Sequence, residues 1–126
     1  MIGNSMNSDT KQMYDIGIDN LLDGIGDSYA NWNKWLDSPN TDKVRNRVDE
    51  FRGGLKINPG RKFDKVIEKN RVWGFVAKTD GVLKGVAYNV GDVFKAAGWS
   101  APAKWQRGSI FDTNNNWYSW TGPNYL

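Results

Sequence analysis

The N-terminal third of the chain carries an apolar stripe at helical spacing. Its apolar residues recur at alternating four- and three-residue steps, with a serine at the one polar position: Tyr14, Ile18, Leu21, Ile25, Trp32 and Trp35. This period predicts a helical segment whose stripe faces a core or a partner. Because a glycine inside a helix costs about 1 kcal/mol relative to alanine, Gly24 and Gly26 predict a hinge. We therefore expect two helices, over 9–23 and 27–37, with one long helix as the alternative.

A further helix is expected after Ser38-Pro39, which place serine at the N-cap and proline at the first helical position. Its buried side would hold Val44, Val48 and Phe51. Gly53-Gly54 predict that it ends in a left-handed cap.

From Ile57 onward, Gly, Pro and Asn punctuate short segments rich in Val, Phe, Trp and Tyr, which is typical of a β-meander. The expected strands are Lys62–Lys69, Arg71–Lys78, Val86–Val90, Val93–Ala97, Ser109–Asp112 and Trp117–Thr121. Turns at Thr79–Gly81 and Asn89–Asp92 would use glycine at positive φ. The pattern predicts an α+β fold with N-terminal helices packed on a C-terminal antiparallel β-meander sheet. It indicates a single domain over 1–126, with a helical part (1–56) and a β part (57–126).

The amino-acid composition limits the catalytic and metal-binding groups that the chain can supply. The 126 residues contain no cysteine and no histidine, which removes thiolate metal sites, the usual nucleophile pairs and the commonest general base. We therefore expect no enzymatic activity, no metal and no cofactor. A carboxylate–lysine nuclease, drawn from Asp64, Glu68 and Lys69 or from Asp92 and Lys95, is the enzymatic alternative.

Charge is divided unevenly along the chain. Residues 1–42 hold two basic and seven acidic residues, whereas residues 43–126 hold 15 basic and seven acidic residues. The asymmetry indicates a phosphate-bearing or acidic partner for the second part, unless the two parts neutralise each other on an ordinary surface. The absence of a signal-like N-terminus and of any apolar run of about 20 residues predicts a cytoplasmic protein without a membrane span.

The segment 91–112 combines small residues, flat aromatic faces and positive charge. The candidate ligand-binding residues in and beside it are Lys95, Trp99, Lys104, Trp105, Arg107 and Gly108. Aromatic faces with neighbouring cations suit nucleobases and phosphates. The alternative is that these tryptophans belong to the core and the lysines to its rim.

The same region carries a family resemblance. Residues 71–76 (RVWGFV), 91–103 (GDVFKAAGWSAPA), 107–111 (RGSIF) and 120–126 (WTGPNYL) resemble a widespread set of small phage-encoded proteins, largely without assigned function. The resemblance covers about 57–126 and implies a phage product acting in the cytoplasm of the infected bacterium. Small phage proteins of this size that bind nucleotides include the anti-Thoeris sponges, which sequester a cyclic immune signal without cleaving it.

Together these observations favour a non-enzymatic counter-defence protein that sequesters a small phosphate-bearing nucleotide, with a cyclic immune signal as one candidate. Arg107 and Lys104 would pair with phosphate, Trp99 or Trp105 would stack on a base, and backbone N–H groups near Gly98 or Gly108 would add donors. A homo-oligomer joined through the apolar stripe is expected. The alternatives are a virion or assembly component and a single-stranded nucleic-acid-binding protein.

Overall fold

The chain folds into helices followed by strands, as the computed structural model of residues 7–36, 41–111, 118–119 and 121–123 describes. The helices are α1 (Ser8–Leu36) and α2 (Thr41–Gly54). The strands are β1 (Leu55–Asn58), β2 (Phe63–Glu68), β3 (Arg71–Ala77), β4 (Gly81–Leu83), β5 (Val86–Tyr88), β6 (Asp92–Ala96), β7 (Pro102–Ser109), β8 (Tyr118–Ser119) and β9 (Gly122–Pro123). The predicted α+β class, with helices before an antiparallel sheet, is confirmed.

Five strands form the main sheet in the order β1-β2-β3-β6-β7, so that each strand pairs antiparallel with its neighbour. The order is that of a meander with one insertion, because the β4–β5 hairpin interrupts it between β3 and β6. A further two-stranded ribbon, β8–β9, lies against β3, β6 and α1. β1 and β7 are the edge strands of the main sheet.

The predicted hinge at Gly24–Gly26 is wrong, because α1 is one continuous helix. Gly26 is buried where the Arg52 side chain of α2 crosses α1: a Cβ added there would lie 2.5 Å from Arg52 Cζ. The guanidinium passing over this gap reaches Asp27, with 2.6 Å between Arg52 Nη2 and Asp27 Oδ1. The glycine therefore provides room for α2 and does not bend the helix.

The apolar stripe of α1 is part of the core of this chain. Tyr14, Ile18, Leu21 and Ile25 are buried against Phe51 of α2 and against sheet residues that include Val66, Trp73, Val76 and Val93. The prediction that these four residues form an interface between two copies is therefore wrong, because the sheet of their own chain covers them. Trp32 remains 41% exposed, and the Trp35 side chain lies outside the described residues. Homo-oligomerisation itself stays a prediction.

The ends of α2 differ in part from expectation. The predicted cap at Ser38-Pro39 lies outside the described residues, and α2 begins at Thr41. Gly53 and Gly54 do not adopt positive φ, so the predicted left-handed cap is wrong. The chain runs directly from α2 into β1, and the Gly54 carbonyl accepts a hydrogen bond of 3.0 Å from the Lys69 N–H. That bond satisfies one of the carbonyls a helix end would otherwise leave open.

Several strand predictions need correction. The expected strands near β2, β3, β5 and β6 exist within two residues of their predicted bounds, but β1, β4 and β9 were not predicted. Of the strand expected over Ser109–Asp112, Ser109 ends β7, Ile110 and Phe111 form a turn instead, and Asp112 lies outside the described residues. Part of the strand expected over Trp117–Thr121 is present as β8, and Trp117 and Trp120 lie outside the described residues.

The two predicted glycine turns have opposite outcomes. Gly91 has a φ of 89°, as the turn before β6 requires, and this prediction is confirmed. Gly81 instead opens β4, and the positive φ values of that hairpin belong to Lys84 (51°) and Gly85 (85°). Two adjacent residues at positive φ are the signature of the tight hairpin turn that suits the twist of paired strands.

Candidate functional site

The main sheet has two faces of different character. One face is covered by α1, α2 and β8, and it contains a buried polar contact between helix and sheet. The Tyr14 hydroxyl donates to Asp64 Oδ2 across 2.9 Å, and Lys78 Nζ lies 3.4 Å from Asp64 Oδ1. Burial, followed by the charge of Asp64 and this hydrogen bond, raises the pKa of Tyr14 well above its usual range. These groups fasten α1 to the sheet and are closed to a ligand.

The opposite face carries a cluster of aromatic rings. Phe75, Tyr88 and Phe94 are buried, and Phe63 is half-buried against them. The ring centroids of Phe63 lie 5.2 Å from Tyr88 and 5.7 Å from Phe94, with the Phe94 contact edge to face. The β4–β5 hairpin supplies Leu83 and Tyr88 to this cluster, which makes a rigid apolar base on the side away from the helices.

A cleft of about 340 Å³ lies between β5 and β7 on this second face. We call it the β7 cleft; its lining residues are Val86, Ala87, Tyr88, Phe94, Lys104, Trp105, Gln106 and Arg107. Trp105 is 57% exposed, and the Lys104 ammonium lies 5.0 Å from the centroid of its ring. The cleft thus offers a flat aromatic face, two cations and the amide of Gln106 above an apolar base.

A second cleft, of about 370 Å³, lies between the β1–β2 and β6–β7 connections. We call it the loop cleft; its lining residues are Asn58, Pro59, Gly60, Arg61, Lys62, Phe63, Lys65, Phe75, Ser100 and Pro102. Trp99 is 54% exposed beside it, and Lys65 Nζ stands 4.5 Å from the Trp99 ring centroid and 6.0 Å from that of Phe75. Ammonium groups at these distances are attracted to the ring faces and are held near them.

The structure brings together only part of the predicted site. Lys104, Trp105 and Arg107 line one cleft, whereas Trp99 is paired with Lys65 of the other. Lys95 and Gly108 line neither cleft. Lys95 is half-buried on β6 and follows Phe94 directly, so its side chain lies on the opposite face of the strand. Gly108 pairs with Val93. The Gly98 N–H donates to the Ala101 carbonyl across 3.3 Å, so it is used within its own loop.

Sequence reasoning missed Arg61, Lys62 and Lys65 because they lie about 35 residues before Trp99 in the chain. The signal present in the sequence was the alternation of side chains between the two faces of a strand. Phe63 and Lys65 are two residues apart on β2 and therefore share a face, opposite to that of Asp64 and Val66. The pairing of Phe94 with Gln106 shows that β7 also contributes to this face, where Lys104 to Arg107 line the β7 cleft.

A third cleft, of about 370 Å³, lies where both helices meet the end of β2. We call it the helix cleft; its lining residues are Tyr29, Trp32, Arg47, Glu50, Phe51, Glu68 and Lys69. Its two basic and two acidic side chains balance in charge. Lys69 Nζ is 2.7 Å from Glu50 Oε1, a contact that lowers the pKa of Glu50 and raises that of Lys69. This cleft therefore lacks the excess positive charge of the other two.

The carboxylates considered for nuclease chemistry are separately engaged. Asp64 is buried with Tyr14 and Lys78, and Asp92 Oδ2 accepts a hydrogen bond of 2.9 Å from the Asn89 N–H in the turn before β6. Within the described residues, no group of three or more acidic side chains is placed to hold a metal ion. Over the same part of the chain, neither helix has the length and apolarity needed to cross a membrane.

Comparison with known proteins places the chain in one family. The chain matches no curated protein and no solved structure. A family model described as a family of unknown function (DUF7717) matches residues 6–126, which include both helices, the whole sheet and the two cationic clefts. This chain is therefore a member of that family of unknown function.

Proposed function

We propose that this protein is a non-enzymatic binding protein for a phosphate-bearing nucleotide, which it holds in the β7 cleft. The observation that carries the proposal is the pairing of an exposed tryptophan with cations in one cleft: Trp105 is 57% exposed, Lys104 stands over its ring, and Arg107 lines the same cleft. An indole exposed to water loses the free energy that burial of its apolar surface would provide. Its placement beside two cations therefore favours a ligand that covers it.

The chemistry of the cleft divides between two parts of a nucleotide. A nucleobase can stack on the indole of Trp105, a contact worth about 1–3 kcal/mol per base. The phosphate can pair with the Lys104 ammonium and the Arg107 guanidinium, since charge-assisted hydrogen bonds are roughly twice as strong as neutral ones. The side-chain amide of Gln106 offers both a donor and an acceptor to the edge of a base.

The resemblance to small phage-encoded proteins adds the biological setting of the proposal. It favours a nucleotide immune signal of the infected bacterium, such as a cyclic nucleotide, as the natural ligand, and the host cytoplasm as the place where it is sequestered. The positive charge of the β part supports an anionic ligand independently of that resemblance: residues 55–111 hold eleven basic and four acidic residues.

Isothermal titration with nucleoside monophosphates, each beside its nucleoside, tests the proposal. The matched nucleoside lacks only the phosphate, so the monophosphate should bind at least about tenfold more tightly if Lys104 and Arg107 contact phosphate. Lys104→Gln should remove most of that difference and leave the affinity for the nucleoside nearly unchanged. Arg45→Gln is the matched control, because Arg45 is a strongly exposed cation on α2, away from both cationic clefts.

Two results would overturn the proposal. One is equal affinity of the wild-type protein for nucleoside and monophosphate. The other is an equal loss of affinity in Lys104→Gln and Arg45→Gln, which would show that net charge and not the β7 cleft attracts the ligand.

A further inference from the structure

The two cationic clefts adjoin on one face of the sheet. Phe63 lines the loop cleft, while Tyr88 and Phe94 line the β7 cleft, and the Phe63 ring centroid is 5.2 Å from Tyr88 and 5.7 Å from Phe94. Pro102 of the loop cleft and Lys104 of the β7 cleft lie two residues apart on β7, about 7 Å along a strand. The aromatic cluster is therefore a shared wall between them.

Each cleft repeats the same pair of groups. A tryptophan more than half exposed lies in the β7 cleft (Trp105) and another beside the loop cleft (Trp99). Each has a lysine ammonium within 5.0 Å of its ring centroid: Lys104 over Trp105, and Lys65 over Trp99. Five basic side chains, and no acidic one, belong to the described residues that line the two clefts. The balanced charges of the helix cleft, which has a similar volume, show that this excess is not a general property of the surface.

We propose that the two clefts form one site for two linked nucleobases, so that the preferred ligand is a dinucleotide and not a mononucleotide. This inference rests on the proposed function of the β7 cleft. One base stacks on Trp105 and the other on Trp99, and the phosphates between and beside them meet Lys104 and Lys65. Because the second contact becomes intramolecular once the first has formed, linking the two bases raises affinity without any new contact.

Binding of adenosine monophosphate and of the linear dinucleotide pApA to the same protein tests this proposal. Wild-type protein should bind two equivalents of the monophosphate but one of pApA, and should bind pApA at least about tenfold more tightly. Trp99→Ala should lower the affinity for pApA by about five- to a hundredfold and reduce the stoichiometry of the monophosphate to one. Lys65→Gln should also lower the affinity for pApA.

Trp32→Ala is the matched control, since Trp32 is also a partly exposed tryptophan, 41% accessible, but lines the helix cleft. Its affinity for pApA should equal that of the wild-type protein. Far-UV circular dichroism should show that Trp99→Ala stays folded, because the Trp99 ring is 54% exposed.

The outcomes separate the two proposals. Equal affinity for the monophosphate and pApA, or an unchanged affinity in Trp99→Ala, would overturn the two-base site and leave the proposed function standing. A steep continued rise in affinity from pApA to a hexanucleotide would also overturn it and would indicate a single-stranded nucleic acid as the ligand. Absence of binding by both the monophosphate and pApA would refute the proposed function itself.

Discussion

Replacing Tyr14 by phenylalanine tests the contact that fastens α1 to the sheet. The Tyr14 hydroxyl donates to Asp64 Oδ2 across 2.9 Å, and Asp64 is only 6% exposed. The substitution keeps the ring in the core but deprives a buried carboxylate of this donor, while Lys78 remains 3.4 Å from its other oxygen. Loss of a hydrogen bond to a charged group costs about 1.5–3 kcal/mol.

The expected effect is large enough to measure by thermal unfolding. An unfolding entropy of about 2.1 cal/mol/K per residue gives roughly 0.26 kcal/mol/K for this chain of 126 residues. A loss of about 2 kcal/mol therefore lowers the Tm by about 8 °C. A Tyr14→Phe variant whose Tm stays within about 1 °C of wild type would refute the view that this contact stabilises the fold.

The same contact predicts how stability depends on pH. The pKa of Tyr14 is raised in the folded protein, mainly by burial and then by Asp64, above the ordinary tyrosine value of about 10. A raised pKa contributes stability that is complete below the unfolded value and is lost as the pH rises toward the folded value. Between about pH 9 and about pH 11, the free energy of unfolding should therefore fall more steeply in wild type than in Tyr14→Phe. The free energy of unfolding can be measured at each pH by urea denaturation. An equal dependence on pH in the two proteins would contradict this prediction.

Three other predictions follow from the packing and the site. Gly26→Val should lower the Tm, because the valine side chain displaces the Arg52 guanidinium. Gly53→Val should leave the Tm nearly unchanged, since a Cβ at Gly53 meets nothing within 4 Å. An equal effect at both positions would show that helix propensity alone determines the change in Tm. Ile18→Asp should abolish folding, seen as loss of dispersed NMR signals, because Ile18 is core; a folded monomer would instead indicate a seam between copies. A nucleotide incubated with the protein should be recovered unchanged after denaturation, as mass spectrometry can verify; a cleaved product would contradict a purely binding role.

Local patterns in the sequence predicted the fold class but not how the elements meet. The apolar period of α1 reflects one buried face, β2 alternates in part, and the run of apolar residues in β3 is typical of a central strand buried on both faces; this information is local. The hinge at Gly26 was wrong because the cost of glycine in a helix was weighed without its neighbour, Arg52, which lies 26 residues away in the chain. Tertiary packing overrides a propensity of about 1 kcal/mol.

The edge strand β7 shows a second limit. Its residues Pro102–Ser109 include a proline and a glycine and lack a clean alternation of apolar and polar residues, so no strand was predicted over 102–108. The irregular pairing of β7 with β6, which shifts register twice, tolerates such residues at a sheet edge. The exposed tryptophans and Lys104, which precedes Trp105 in the chain, could be chosen as candidates from the sequence. The lysine beside Trp99 is brought there by the fold, and Lys65 was therefore missed.

Backbone and indole NMR of the ¹⁵N-labelled protein, titrated with a nucleoside monophosphate, is the most direct test of nucleotide binding at the β7 cleft. The Trp105 indole N–H signal and the amide signals of β7 and β5 should shift and then saturate as the nucleotide is added. The Trp73 indole, which is 2% exposed and donates to the Ser119 carbonyl across 2.7 Å, should stay unchanged. A spectrum without shifts, or shifts confined to Trp32 and the helix cleft, would contradict the proposed binding site.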